Sequence, residues 1–341
     1  MSRQKALISA VTVLLILTLA VVSSCVSETT PTDQTTEKVY KIGETMIVEH
    51  PDLFSDRDGF REAMAEAGFV EGENVEYIFK NAQGDMSLAK TIADQFVSQG
   101  VDLMHPIATP TSQACVAAAE GTDIPVVFST CTAPAEADIV SQWEAPRTDN
   151  VTGVSDMADI RVQMEMIREI CPDFEVLGVI YNSGEVNSVQ QINGLKGLKD
   201  EVGIEKVVEA NVSTAADCST AAKSLAGRVD VVWIPTDNTA VSGIEAIIKV
   251  CEDNDLPFFG STSAMVGNGC IAARGANYSW IGHKAGEYAA SILKGEKTTQ
   301  EIPVVKCSGE AQKLVVNPGA AERMGIILSD DVMEKAAEVV E

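Results

Sequence analysis

Two short segments of the sequence carry side chains that could hold the charged groups of a small molecule. Residues 108–112 read ATPTS and residues 235–239 read PTDNT, and each segment follows an apolar run. Thr109, followed by proline, is a predicted helix N-cap, and Asp237 or the following asparagine is another. Free N–H groups at a helix start suit a carboxylate, and the Asp237 carboxylate suits an ammonium group. Together they match a zwitterion such as an amino acid, whereas each segment alone could be ordinary capping without a ligand.

The predicted ligand contacts lie at helix starts and strand ends. The residues predicted to take an anionic group are Thr109, Thr111 and Ser112. The residues predicted to take the cationic or polar end are Thr236, Asp237 and Asn238. The further candidates at strand ends that face the same cleft are Glu49, His50, Asn182, Ser129 and Ser261.

The sequence gives little support for catalysis. Its three histidines, His50, His105 and His283, show no metal-binding spacing such as HExxH. It contains neither a GxSxG turn nor a glycine-rich phosphate loop. Glu49 and His50 could form an acid–base pair, but a histidine at a strand end can equally donate a hydrogen bond to a ligand. We therefore predict a binding protein, not an enzyme, without a metal or a cofactor.

Strands and helices alternate along the chain. Apolar strands are predicted at 41–48, 75–79, 101–107, 124–128, 176–181, 207–210, 229–234 and 257–260. Helices are predicted between them, with one apolar face at 56–67 and at 87–98, and glycines end both. This alternation is typical of βαβ units and parallel sheets, in which ligands bind beyond the carboxyl ends of the strands.

An internal repeat predicts two similar lobes. VDLM at 101–104 leads into ATPTS, and VDVV at 229–232 leads into PTDNT. A second pair follows, DIPVVFS at 123–129 and DLPFFGS at 255–261. The offsets, 128 and 132 residues, are nearly equal, so two half-chains of similar fold are expected. Chance similarity between generic α/β units is the alternative.

Residues 1–24 have the pattern of a signal peptide. Two basic residues precede an apolar run from Ala6 to Val22, which is short for a membrane-spanning helix. The next residues, two serines and Cys25, complete a segment that resembles a bacterial lipobox, so we expect a lipidated Cys25 as the new N-terminus. An uncleaved anchor helix is the alternative, and both place the rest of the chain outside the cytoplasm. Residues 25–38, rich in threonine, are predicted to form a flexible tether.

Charge and cysteine spacing limit the partners. The formal net charge of −25 argues against nucleic acid and anionic lipid. The cysteines after Cys25 show no CxxC or metal-type spacing, and we expect them to act as small hydrophobes. They are Cys115, Cys131, Cys171, Cys218, Cys251, Cys270 and Cys307.

Several segments resemble the ABC transporter substrate-binding family, in particular its tryptophan- and tyrosine-type binding lipoproteins, the TrpX-like group. The matching segments are IVEHP at 47–51, GFVEGENV at 68–75, NAQGD at 81–85, IATPTSQ at 107–113, NVTGVSD at 150–156, GVIYNSGE at 178–185, PTDNT at 235–239 and LVVN at 314–317. The resemblance covers residues 40–340 or so and is specific for the family, but not for its ligand.

The resemblance implies a type I periplasmic-binding-protein fold, an α/β fold with two doubly wound parallel-sheet lobes joined by a three-segment hinge. It places 39–153 and 270–298 in the first lobe, and 154–269 and 299–341 in the second. Arg274 would then stand on a first-lobe strand. If it points into the cleft, it could bind a carboxylate in bidentate fashion.

The resemblance also implies an extracytoplasmic solute-binding lipoprotein of an ABC importer, anchored at the outer face of the membrane or periplasmic. Its partners would be a small ligand, an amino acid that could be aromatic, and an ABC permease with its ATPase. We expect a monomer. Since one fold serves several functions, a ligand-sensing domain for a membrane signalling partner is the alternative, and an extracellular enzyme is a third.

Replacing Cys25 with serine tests the lipid anchor. We expect the variant to be released into the medium or to stay uncleaved, because the lipobox cysteine carries the acyl chains that hold the protein at the membrane. Fractionation of cells that produce the wild type and Cys25→Ser measures this. A variant that is processed and retained like the wild type would contradict the lipobox interpretation.

Overall fold

Strands and helices alternate through the part of the chain that the structure describes, residues 38–146, 148–308 and 312–340 of a computed structural model. The predicted signal peptide, Cys25 and nearly all of the tether lie outside these residues. The strands are β1 Tyr40–Met46, β2 Val75–Asn81, β3 Leu103–Ile107, β4 Val126–Phe128, β5 Val151–Ser155, β6 Val176–Tyr181, β7 Lys206–Asn211, β8 Val231–Trp233, β9 Phe258–Phe259, β10 Ala272–Ala276, β11 Val305–Lys306, β12 Gln312–Val316 and β13 Glu338–Val339.

The helices fill the connections between these strands. They are α1 Pro51–Glu66, α2 Met86–Gln99, α3 Thr109–Ala119, α4 Ile160–Ile170, α5 Val186–Leu198, α6 Cys218–Leu225, α7 Asn238–Ser242, α8 Ile244–Glu252, α9 Ser263–Asn268, α10 Tyr278–Leu293, α11 Pro318–Arg323 and α12 Asp330–Lys335. None of the helices among the described residues is both long and apolar enough to cross a membrane.

Two sheets with the same strand order form the centres of two lobes. The first-lobe sheet has the order β11-β5-β4-β3-β1-β2 and is parallel throughout. The second-lobe sheet begins β7-β6-β8-β9, also parallel, so β6, β8 and β9 correspond to β1, β3 and β4. The repeated segments of the sequence therefore occupy equivalent places in the two lobes.

Two strands pair differently from what the predicted lobe boundaries imply. β10, predicted in the first lobe, pairs antiparallel with β12, and Ala273 forms a bridge to Gly260 at the end of β9. β11, predicted in the second lobe, pairs with β5. We therefore propose crossings near residues 156 and 277 and a third between β11 and β12. The apolar pattern could not have placed these strands, because β10 reads Ala-Ala-Arg-Gly-Ala and β11 has two residues.

Arg274 lies outside the cleft. It stands on β10 in the second lobe, and its side chain is exposed. It lines a surface groove together with Glu165 and Glu169 of α4. The sequence-based expectation of a carboxylate-binding arginine in the cleft is therefore wrong.

Two helix starts differ from the predicted ones. α1 begins at Pro51, five residues before the predicted start. His50 is extended (φ −154°, ψ 162°), and the proline that follows it is favoured at the first position of a helix. α3 begins at Thr109, and its N-cap is Ala108 with a φ of 82°. Thr109 is thus the first helical residue and not the cap.

Glycines let α1 and α10 pack in contact with each other on the first lobe. A Cβ atom at Gly282 would lie 1.7 Å from the Asp56 carbonyl oxygen, and one at Gly59 would lie 2.3 Å from that of Ser279. No side chain fits between these backbones. This close approach matters for the binding site because α1 carries three residues that reach the interior behind the cleft: Leu53, Asp52 and Asp56.

Gly282→Ala should therefore destabilise the protein, by about 3 kcal/mol, because the added methyl group forces α1 away from α10. Chemical denaturation of the purified protein measures the change. Gly197→Ala is the matched control, since Gly197 is exposed on α5 with open space around it, and there alanine should stabilise by about 0.5–1 kcal/mol. Equal effects of the two substitutions would contradict the packing argument.

Candidate ligand-binding site

A narrow cavity of about 10 Å³ lies between the two lobes, beyond the carboxyl ends of their parallel strands. Its first-lobe wall is formed by His50, Leu53, Ala108, Thr109, Thr130 and Thr132. Its second-lobe wall is formed by Asn187, Thr236, Asp237, Asn238, Val241, Thr262 and Met265, and Tyr278 lies at the crossing after β10. Hydroxyl, amide, carboxyl and imidazole groups thus share one small space with a few apolar side chains, those of Leu53, Val241 and Met265.

His50 reaches the cavity from the loop between β1 and α1. Its Nδ1 atom is buried without a hydrogen-bond partner. Burial lowers the pKa of this imidazole to about 4, so it is neutral at physiological pH. A neutral imidazole nitrogen facing a cavity can donate to or accept from a ligand, depending on its tautomer.

Three threonines of the first lobe face the cavity at the ends of β3 and β4. The Thr109 hydroxyl oxygen accepts a hydrogen bond from the Thr132 N–H at 3.2 Å, which ties the two loops together. Thr130 has a φ of 53°, in the left-handed region, where a residue other than glycine is held only by its surroundings. Its hydroxyl donates to Asp56 behind the cavity wall.

Buried carboxylates order the second-lobe wall. Asp237 is the N-cap of α7: its Oδ1 accepts from the Ala240 N–H at 2.7 Å, and its Oδ2 accepts from the Asn182 N–H at 2.7 Å and the Ser188 hydroxyl at 2.6 Å. The predicted cap is therefore confirmed. Burial and then the negative charge of Glu185 raise the pKa of Asp237.

Glu185 binds the same helix start from the opposite side. Its Oε1 accepts from the N–H and the hydroxyl of Thr239, and its Oε2 accepts from the N–H and the amide of Asn238. Oε2 also accepts from Nδ2 of Asn187, whose Oδ1 is buried without a partner. The wall is thus preorganised, and it leaves Asn187 Oδ1 as an acceptor with no donor from the protein.

A chain of polar contacts continues from Thr130 into the first lobe. The Ser129 hydroxyl donates to Asp56 Oδ1 at 2.6 Å and lies 2.9 Å from His105 Nε2. Burial first, and then the charges of Asp156 and Glu44, raise the pKa of Asp56 to about 8, although hydrogen bonds from Ser129 and Thr130 oppose this. Asp56 is therefore a protonated acid at neutral pH, directly behind a residue of the cavity wall.

The structure brings together some of the predicted contacts and separates others. His50, Thr109, Thr236, Asp237 and Asn238 line the cavity. Exposed Glu49 and half-buried Asn182 lie on two wider grooves at the rim. The four that do not line the cavity are Thr111, Ser112, Ser129 and Ser261.

Those four residues are buried in other contacts. Thr111 and Ser112 donate to carbonyl oxygens of the preceding turn, those of Ile107 and Ala108. The backbone N–H of Ser261 faces the sulfur of Met265. Ser129 belongs to the Asp56 network and not to the wall, so a position after a strand was not sufficient to identify a ligand contact.

Sequence reasoning missed several wall residues. Thr130 and Thr132 follow Ser129 directly, and Thr262 follows Ser261, so the strand-end pattern contained a signal for all three. Asn187 and Tyr278 lie at helix starts that only the assembled lobes bring to the cavity. Among the described residues, no group of three or more histidine, cysteine or acidic side chains is arranged to hold a metal ion.

Two lobes of equivalent topology that enclose a polar cavity define a class of proteins that hold a small solute between their lobes. Residues 41–340 match the family described as ABC transporter substrate binding protein. The chain belongs to this family, and the predicted resemblance is confirmed.

Individual relatives agree with this. A tyrosine-binding protein from Clostridioides difficile is 38% identical over 83% of this chain and 80% of its own. The structure of an ABC domain in complex with L-Trp from Streptococcus pneumoniae is 30% identical, with a TM-score of 0.83 over 89% of this chain and 100% of its own. A ligand-free, open structure of a substrate binding protein with adhesive properties from Clostridium difficile is 34% identical, with a TM-score of 0.67 over 89% and 99%. The predicted periplasmic-binding-protein fold is confirmed.

The raised pKa of Asp56 gives a prediction for stability against pH. Its folded pKa of about 8 exceeds its ordinary value of 3.8, so the folded protein holds a proton that the unfolded chain releases over this range. This contribution to stability is complete below pH 4 and is lost as the pH rises towards 8, with a slope of at most about 1.4 kcal/mol per pH unit.

We therefore expect the free energy of unfolding to fall between pH 5 and pH 8, and the fall to be smaller in Asp56→Asn. Urea denaturation at several pH values measures both. Asp58→Asn, on the same helix but exposed, is the control and should keep the wild-type slope. A wild-type slope in Asp56→Asn would show that this carboxyl does not titrate as argued.

Proposed function

We propose that this chain is the extracytoplasmic, lipid-anchored solute-binding component of an ABC importer. It captures an aromatic amino acid between its lobes and delivers it to a permease with its ATPase. The observation that carries the proposal is the cavity itself, in which His50 Nδ1 and Asn187 Oδ1 are buried without partners. Buried polar atoms are normally hydrogen-bonded, so these two mark positions for polar groups of a ligand.

The composition of the cavity supports an amino acid. Polar side chains, among them that of Thr109 on the first-lobe wall, can bind its charged groups, while Leu53 and Met265 supply apolar surface. The named ligands of two relatives, tyrosine and L-Trp, are aromatic amino acids and support the same class.

The lobes are in an arrangement that supports capture by closure. The TM-score is 0.83 with the L-Trp complex and 0.67 with the ligand-free, open structure, although the second protein is slightly more identical in sequence. This order supports a lobe arrangement closer to that of the complex, because TM-scores compare whole chains and fall when lobes are placed differently. Closure on a ligand is the hinge motion typical of two-lobed binding proteins.

Calorimetry with L-tyrosine and L-tryptophan tests the proposed ligand class, and small-angle scattering tests closure. We expect binding, a smaller radius of gyration with ligand, and a gain in stability of about 2.7 kcal/mol at a free ligand concentration one hundred times Kd. Mass spectrometry of molecules released from the denatured protein is an independent check. If neither amino acid binds and none is released, the ligand class is wrong; turnover of a bound metabolite would instead identify an enzyme.

Two neighbouring residues form a matched pair for the cavity wall. His50→Ala should weaken binding about tenfold, because it removes a buried hydrogen-bonding group worth roughly 1.5 kcal/mol. Glu49→Ala should change affinity less than twofold, because Glu49 is exposed at the rim. Calorimetry of both variants measures the difference in affinity. A larger loss of affinity in Glu49→Ala would show that the ligand does not bind in the cavity.

A further inference from the structure

Two of the proposed crossings between the lobes meet at one hydrogen bond. Asp156 directly follows β5, and Tyr278 begins α10 shortly after β10. The Tyr278 hydroxyl donates to Asp156 Oδ2 at 3.2 Å, and the tyrosine also lines the cavity. Asp156 is 2% exposed, and its Oδ1 is buried without a hydrogen-bond partner. The hinge thus holds a buried carboxylate oxygen without a hydrogen-bond donor, directly behind a residue that lines the cavity.

A second acid adds negative charge behind the same part of the cavity wall. Asp52 on α1 is buried, and its charge and that of Asp156 act on each other and on Tyr278. Among the ion pairs of the described residues, neither acid has a cationic partner, whereas Glu44 deeper in the first lobe pairs with Arg61 at 2.6 Å. Buried carboxylates without a cation are costly, so this end of the cavity favours a positively charged group from outside the protein.

We propose that Asp156, positioned by Tyr278, receives the ammonium group of the bound amino acid. The inference rests on the proposed function, because it assigns one end of that ligand. Asp237, the acid that the sequence predicts for this role, already accepts three hydrogen bonds from the protein. Asp156 is stabilised by the hydroxyls of Tyr278 and Thr132, but its Oδ1 is buried without a hydrogen-bond partner. An ammonium group there joins both lobes through the crossings, so binding stabilises the closed hinge directly.

Affinity for two ligands that differ only in the amino group tests the assignment. The ligands are L-tyrosine and 3-(4-hydroxyphenyl)propanoate, and the variants are Asp156→Asn and Asp237→Asn. We expect Asp156→Asn to weaken L-tyrosine about ten- to a hundredfold, since hydrogen bonds to charged groups are strong, and to leave the deamino compound within twofold of the wild type. Asp237→Asn should weaken both ligands by the same factor, because it disturbs the wall and not a contact to the amino group.

Stability separates a ligand contact from a structural role. If Asp156 is a buried carboxylate whose cationic partner is the ligand, Asp156→Asn should raise the melting temperature of the ligand-free protein while it lowers the affinity for L-tyrosine. A structural carboxylate would give a lower melting temperature together with loss of both ligands. Tyr278→Phe is the second variant, which keeps the ring and removes the hydroxyl, and it should weaken L-tyrosine several-fold more than the deamino compound.

The outcomes distinguish this assignment from the proposed function. If the wild type binds L-tyrosine, but Asp156→Asn binds it equally well and Asp237→Asn alone loses the preference for the amino group, the assignment to Asp156 is overturned and the function stands. If the wild type binds neither L-tyrosine nor L-tryptophan, the proposed function fails and the assignment fails with it.

Discussion

The burial of carboxyl groups beside one cavity is the constraint on which the rest of this structure depends. Each buried carboxylate must be hydrogen-bonded, protonated or paired, because an isolated charge in the interior is too costly. Deeper in the first lobe Glu44 is paired with Arg61, and nearer the cavity the chain uses the first two solutions. Asp237 and Glu185 receive N–H and hydroxyl donors at the start of α7, and Asp56 holds a proton. The helices and loops around the cavity are arranged to supply those donors.

The two walls of the cavity consequently differ in the contacts that hold their residues in place. In the second lobe, α7 is fixed by two acids at its start, so Asn238 and Thr239 have little freedom. In the first lobe, the wall residue Thr130 has a positive φ and depends on its hydrogen bond to Asp56. The second-lobe wall is thus held by carboxylates that each accept several hydrogen bonds, whereas part of the first-lobe wall depends on one titratable group.

Much of the fold could be predicted from the sequence, because it depends on local patterns. Apolar strands, helices with apolar faces and the repeat at 101–104 and 229–232 predicted two parallel-sheet lobes correctly. The partners of β10 and β11 could not be predicted, since pairing over long sequence distances decides them and neither strand has a distinctive pattern. The polar segments after the strands predicted the place of the cavity. They did not predict which hydroxyls face it, because a hydroxyl near a helix start can instead bond to carbonyl oxygens of the preceding turn, as those of Thr111 and Ser112 do.

The seven cysteines of the described residues are all buried. Burial raises the pKa of Cys171 to about 11 and that of Cys251 to about 12, so almost no thiolate exists at neutral pH. A reagent that attacks thiolates can reach these sulfurs only when the surrounding strands and helices separate. The cysteines are distributed over both lobes and the last crossing, so the order in which they react with such a reagent records the order in which the parts of the molecule open.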